Sequence, residues 1–263
     1  MGKMPHIQLD RSIGTVHAIL PGDPARVDAI AAFLEDVKEE GFCREYKSVT
    51  GTYKGTRILA ISTGMGGAST AICVEELADL GVRNLVRIGS CGALQQHLHN
   101  GQLVICDRAV CDDGTSQSYI DYLRYAAPEL DFRPAPESRE LAWAYADPGL
   151  VQACEDAAAA LGYSWAKGPT RCHDALYLKR KGMLDEFYSG KGVFASDMET
   201  AALFAVGAVR GVRTASILNV VVEWKKDIKE GVGAYKDGAD AAAMGEKNEI
   251  LTALEALAAM GEA

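Results

Sequence analysis

At 263 residues, about half of them apolar and a quarter charged, the chain can bury one large α/β core and is too ordinary in composition for a fibrous or disordered protein. A formal net charge of −9 argues against a nucleic-acid surface, and no apolar run approaches the ~20 residues of a membrane helix. The seven cysteines are scattered with no C-x-x-C pair, and the first ten residues lack the apolar core of a leader. The expectation is therefore a cytoplasmic protein with reduced thiols, without a disulfide framework or a zinc site.

In chain order, TVHAIL (15–20) reads as a buried strand. DPARVDAIAAFL (23–34) reads as a helix with Asp23 as N-cap and Pro24 in its first turn. TRILAIS (56–62) is strand-like, and STAICVEELADLG (69–81) is an amphipathic helix stopped by Gly81. NLVRIG (84–89) and QLVICD (102–107) are again strands, with HLH (97–99) between them as a solvated loop and not a metal site. The stretch of about 111–138 carries DDGTSQSY and several prolines and reads as a loop excursion. DPGLVQACEDAAAALG (147–162) repeats the Asp-Pro start and glycine stop of a helix. METAALFAVGAVRG (198–211) is a buried helix, VRTASILNVVV (212–222) a strand, and 239–260 a last amphipathic helix.

Strands alternating with helices imply an α/β domain with a substantially parallel sheet, in which ligands sit beyond the carboxyl ends of the strands. Three glycine-rich turns stand at such ends: PGDPAR (21–26), TGMGG (63–67) and GSCGA (89–93). None is a phosphate-binding Walker loop or a dinucleotide fingerprint. Arg26 and Arg87 stand beside two of them, so small residues would let backbone N–H groups approach an anion while guanidiniums supply charge.

In this order and spacing, PHI (5–7), PGDPAR, REYKSVTGTYKG (44–55), STGMGG (62–67), EEL (75–77), VRIGSCGAL (86–94), HDALY (173–177) and SDMETAALF (196–204) resemble the nucleoside phosphorylase family of uridine phosphorylases and hexameric purine nucleoside phosphorylases. The resemblance implies one domain over 1–263 built on a central mixed, largely parallel β-sheet flanked by helices. It implies a phosphate site of Gly22, Arg26, Arg87 and Ser90, completed by Arg44 from a neighbouring subunit. Guanidiniums, a hydroxyl and turn amides match the acceptor oxygens of a tetrahedral dianion. It also implies a ribose site in which Glu199 holds the sugar hydroxyls, Met65 and Met198 pack on the sugar, and His6 reaches the neighbouring nucleoside. Arg87, Glu199 and Arg26 carry the catalysis. No organic cofactor is implied; inorganic phosphate is co-substrate, and some members bind potassium at positions matching Glu45, Met65 and Ser69. The minimal active unit would be a homodimer, and the assembly a hexamer built as a trimer of dimers.

The base pocket departs from the family. The matching positions are Cys91, Gly92, Leu176, Asp197, Val221 and Val222. The purine enzymes place an acid where this chain has Val221 or Val222, and Glu223 would alternate to the other face of the strand. That apolar pair resembles the uridine enzymes, yet their uracil-reading glutamine and arginine are missing, leaving Lys179, Arg180 or Lys181 to substitute. Leu176 stands where an aromatic usually stacks, and Asp197 where glutamate is usual. His173 reads either as a base contact or as a structural turn histidine. Cys91, with no paired histidine, does not read as a nucleophile. The function expected is reversible phosphorolysis of a nucleoside, uridine first. A purine nucleoside phosphorylase, a hydrolytic nucleosidase and a non-catalytic nucleoside-binding protein remain as alternatives.

Overall fold

The structure is a computed structural model and describes residues 2–126, 141–179, 181–236 and 240–261. Strand β1 (His17–Pro21) is buried along its length and hands directly to helix α1 (Pro24–Ala31). The Asp23 carboxylate accepts from the Ala25 N–H at 2.8 Å, and Pro24 sits in the first turn, where its missing N–H costs nothing. The helix stops short of Leu34 because a hairpin begins at once: β2 (Glu35–Cys43) and β3 (Tyr46–Tyr53) pair antiparallel, and β3 continues antiparallel onto β4 (Thr56–Ile61). Neither hairpin strand stood out in the sequence. β2 is exposed along most of its length, so its charged run lacks the alternation that burial imposes.

Helix α2 (Gly67–Leu80) starts inside the TGMGG turn and ends on Gly81, whose φ of 98° lets its N–H close the last turn. Then follow β5 (Asn84–Ala93), β6 (Leu103–Asp112), α3 (Gly114–Ala126), β7 (Trp143–Tyr145), α4 (Pro148–Ala160) and β8 (Trp165–His173). The chain continues through α5 (Lys181–Gly190), β9 (Ala195–Asp197), α6 (Thr200–Arg210), β10 (Arg213–Val222), α7 (Ile228–Lys236) and α8 (Asp240–Met260). The loop expected over 111–138 is corrected at its start, where β6 runs to Asp112 and α3 takes the next thirteen residues. Residues 127–138 of that stretch lie outside the described residues.

One sheet carries the strands in the order β10-β6-β8-β9-β5-β1-β4-β3-β2, with β7 on β6; β10 also pairs with β5, closing part of the sheet on itself. The pairings β1–β4, β1–β5, β5–β10, β6–β8 and β8–β9 are parallel, and the remaining five are antiparallel. The sheet is therefore mixed, and the expectation of a largely parallel one holds only in part, within the runs β4-β1-β5-β10 and β6-β8-β9. The 35–61 meander and the reversal of the β6-β8-β9 run relative to β5 and β10 account for the difference. Helix α8 lies against β5 and β10 beside α4, and α6 packs against α2 and α3.

Candidate active site

The backbone of β5 creates the opening. On one side β10 follows β5 as far as Gly92. On the other, β1 leaves it after the pair Pro21–Ile88, and β9 joins only at Gly92. Residues 89–91 thus lack a strand partner on the β1 side, and backbone donors there need another acceptor. The Gly22 turn closes over this gap: Thr63 N–H donates to the Pro21 carbonyl at 2.9 Å and Gly64 N–H to the Gly22 carbonyl at 3.0 Å. A Cβ on Gly22 would meet the Gly64 carbonyl at 3.2 Å.

Arg87 is 4 % exposed and lies across Gly89, two residues on and on the same face of the strand. A Cβ on Gly89 would fall 2.5 Å from Arg87 Nη2, so glycine there is a requirement of packing. The guanidinium donates through Nη2 to Glu199 Oε2 at 2.5 Å and through Nε to Asp197 Oδ2 at 3.3 Å. Its Nη1 is buried without a hydrogen-bond partner among the described residues, an orphan donor beside two bonded ones. Glu199 also accepts from the Gly66 N–H at 2.6 Å, tying the TGMGG turn to the start of α6. Burial pushes the Glu199 carboxyl up, and Arg87 and the Gly66 amide pull it back.

Asp197 had been assigned to the base pocket from sequence, but both of its oxygens are spent inside the fold. Oδ2 accepts from the N–H groups of Glu199 and Thr200 and from the Thr200 hydroxyl, and Oδ1 from the Thr170 hydroxyl at 3.3 Å. It holds the start of α6 and the Arg87 guanidinium together.

Arg26 converges on the same gap through a group the sequence reading missed. Its Nη1 donates to Glu249 Oε1 at 3.0 Å and its Nε pairs with Glu246 Oε2 at 3.0 Å. The other oxygen of Glu249 accepts from the Gly89 N–H at 3.1 Å. One buried carboxylate from α8 therefore bridges the arginine that follows β1 and the amide that follows Arg87. The signal available was a charged residue on the buried stripe of the last helix, beside Ile250, Ala253, Leu254 and Leu257.

The remaining predicted residues fall around this centre in different ways. Ser90, Gly92 and Met198 are half-buried, and Met65 is 88 % exposed. Arg44 is exposed in the β2–β3 turn at φ 55° and makes no ion pair with the described residues. His6 is anchored instead of loose: its N–H and Nδ1 both meet the Glu76 carboxylate, with Nδ1–Oε1 at 2.5 Å, which leaves Nε2 for an outside partner. Glu45, Met65 and Ser69 cluster around Gly64. A Cβ there would lie 2.8 Å from Glu45 Cγ and 3.6 Å from Ser69 Oγ, which itself donates to the Met65 carbonyl at 3.3 Å.

Toward the base side, Cys91 is buried, and burial and the Asp197 charge push its thiol well up, which disfavours the thiolate. Val221 and Val222 are buried against Ala242 and Ile228, and Glu223 turns away toward His99 and the Asn100 N–H. Leu176 is half-buried, Lys179 is exposed, and Lys181 pairs with Asp185; Arg180 lies outside the described residues. His173 is 4 % exposed with Nδ1 unpartnered, and burial beside Arg171 keeps its ring neutral at physiological pH. Arg171, which the sequence did not flag, is buried between Asp112 and Asp185 and stacks over Tyr188 at 4.6 Å.

Residues 16–254 match the family model described as the phosphorylase superfamily. The chain is 36 % identical over 222 residues to a guanosine phosphorylase of Halorubrum lacusprofundi, covering 84 % of this chain and 83 % of that one. It is 33 % identical over 217 residues to a uridine phosphorylase of Thermococcus kodakarensis, with 78 % and 72 % covered. A solved uridine phosphorylase from Vibrio fischeri superimposes with a TM-score of 0.83 at 34 % identity, covering 98 % of both chains. A purine nucleoside phosphorylase from Toxoplasma gondii, solved with immucillin-H, gives 0.78 at 28 % identity, covering 99 % of this chain and 97 % of the other.

Proposed function

Because this chain belongs to the phosphorylase superfamily, we propose that it is a nucleoside phosphorylase, a pentosyltransferase that cleaves a nucleoside with inorganic phosphate to a free base and ribose 1-phosphate. The observation that carries the reading is the convergence of Arg26 and the orphan Nη1 of Arg87 on one gap in the sheet, next to the Glu199 carboxylate. A tetrahedral dianion satisfies such donors, and Gly22 and Ser90 border the same gap. As the C1′–N bond loosens toward an oxocarbenium-like state, phosphate held there attacks from the opposite face of the sugar. Glu199 accepts from the sugar hydroxyls, and Met65 and Met198 pack on the ring. Catalysis is then positioning and charge complementarity set in place before the reaction.

Arg44 and His6 are assigned to the neighbouring protomer's site. An exposed arginine without an ion-pair partner among the described residues, beside Phe42 at 63 % exposure, supports a homodimer as the minimal unit. A hexamer of three such dimers extends the same reading. The oxygens of Glu45, Met65 and Ser69 suit a hard monovalent cation such as potassium at the subunit boundary. Among the described residues no helix is long and apolar enough to cross a membrane, and all seven cysteines are free thiols; a cytoplasmic enzyme is consistent with both.

For the base, uridine is the first assignment. The Val221–Val222 pair offers no acid to protonate a purine, whereas a pyrimidine leaves with hydrogen bonds to its carbonyl oxygens alone. Guanosine is the second, favoured by the Halorubrum relative and by the buried Nδ1 of His173, which has no partner among the described residues. Base release from uridine, deoxyuridine, thymidine, inosine, guanosine and adenosine, with and without phosphate, decides among them. The expected result is phosphate-dependent release that is fastest from uridine. Equal release without phosphate would make the protein a nucleosidase.

A further inference from the structure

The arginines of the oxyanion gap are not surrounded by neutral groups. Arg26 is held by Glu246 and Glu249, and Arg87 by Asp197 and Glu199. Two cations thus face four carboxylates before any anion arrives, and a phosphate dianion would add two more negative charges to a space of low dielectric. Loss of charge on one of those carboxylates would relieve that repulsion.

Glu249 is the group placed to do so. Its side chain is fully buried, whereas that of Glu246 is 27 % exposed and keeps access to solvent. Burial pushes Glu199 up as well, but a 2.5 Å contact to Arg87 and the Gly66 amide pull against that rise. The charged or titratable groups facing Glu249 are Arg26 of α1, Arg87 and Cys91 of β5, and Glu246 of its own helix. Burial is the largest influence, and it lifts the Glu249 carboxyl to about 8 against the opposing pull of Arg26.

Resting on the phosphorylase reading above, we propose that Glu249 is a positioning residue of the phosphate site that enters the phosphate complex protonated, so that binding the dianion takes up one proton from solvent. Unprotonated, it bridges Arg26 and the Gly89 amide as an internal anion. Protonated, it can still accept from one of them while no longer repelling phosphate. Phosphate binding and protonation of Glu249 thereby favour each other.

The experiment is steady-state phosphorolysis with inorganic phosphate varied, from about pH 8 to pH 9.5, where phosphate is already the dianion. The phosphate KM of the wild type should rise about tenfold per pH unit above the Glu249 midpoint, while that of Glu249→Gln stays flat. Calorimetry of phosphate binding to the wild type near pH 9, in two buffers of different ionisation enthalpy, should give an uptake of about one proton per site. This second measurement stands even if the variant does not fold. Equal pH slopes in wild type and Glu249→Gln, or no proton uptake by the wild type, would overturn the role of Glu249 and leave the enzyme's activity intact. Base release that does not require phosphate at any pH would instead remove the underlying reading.

Discussion

Arg87 is the residue on which the geometry turns. It is almost fully buried, and its position is dictated by Asp197, Glu199 and the missing side chain at Gly89. Buried arginine–carboxylate sets contribute little net stability when intact, because desolvation offsets attraction. Breaking one strands the remaining charges. Arg87→Ala should therefore act twice. Loss of a donor to the developing charge should lower kcat/KM by about 10² or more. Leaving Asp197 and Glu199 without their cation should also cost on the order of 3–5 kcal/mol in urea unfolding. Activity within a few-fold of wild type, measured on protein shown to be folded, would remove Arg87 from the site.

At the scale of elements, what positions the chemistry is the departure of β1 from β5 at Ile88, before β9 arrives at Gly92. The sequence announced this indirectly: an apolar strand ending in Arg87 and then Gly89, Ser90 and Gly92 marks a place where the backbone must be open. The strands and helices with strong periodicity, such as TRILAIS and the METAAL helix, were legible for the same reason that they are buried. Strands β2 and β9 were not, since the first lies largely exposed and the second is only three residues long. Glu249 was illegible as a site residue because its partners are 160 and 223 positions away, and a lone carboxylate on a helix reads as solvated. Asp197 shows a related limit: adjacency to the METAAL motif gives its neighbourhood but not the direction of its oxygens. Gly89→Ala tests the packing argument at this scale. The added methyl would sit 2.5 Å from Arg87 Nη2 and drive the guanidinium off Glu199, without touching the hydrophobic core. The expected outcome is a rise in the phosphate KM of at least tenfold, on the scale of a displaced oxyanion donor, with a smaller change in thermal midpoint. An unchanged KM would mean that the guanidinium tolerates the shift and that Gly89 serves only the strand.

For the whole molecule the question is whether one chain contains a complete site. Arg26, Arg87, Glu199 and Glu249 belong to a single protomer, but Arg44 lies exposed in the hairpin turn without an ion-pair partner among the described residues. If it completes a neighbour's phosphate site, two defective variants can repair each other. In a dimer of Arg44→Ala with Arg87→Ala, the site on the first protomer keeps its own Arg87 and receives the intact Arg44 of the second. The other site lacks both. Random reassortment makes half of the dimers mixed, with one sound site in two, so the mixture should recover about a quarter of wild-type activity from two nearly inactive parents. The exchange has to be allowed to reach equilibrium, by co-expression or by joint refolding, and the recovered activity should appear in the oligomer fraction on gel filtration. A mixture no more active than the average of its parents, despite proven subunit exchange, would place Arg44 outside the neighbour's site. A chain that is monomeric and fully active would do the same, since no second protomer would be there to receive it.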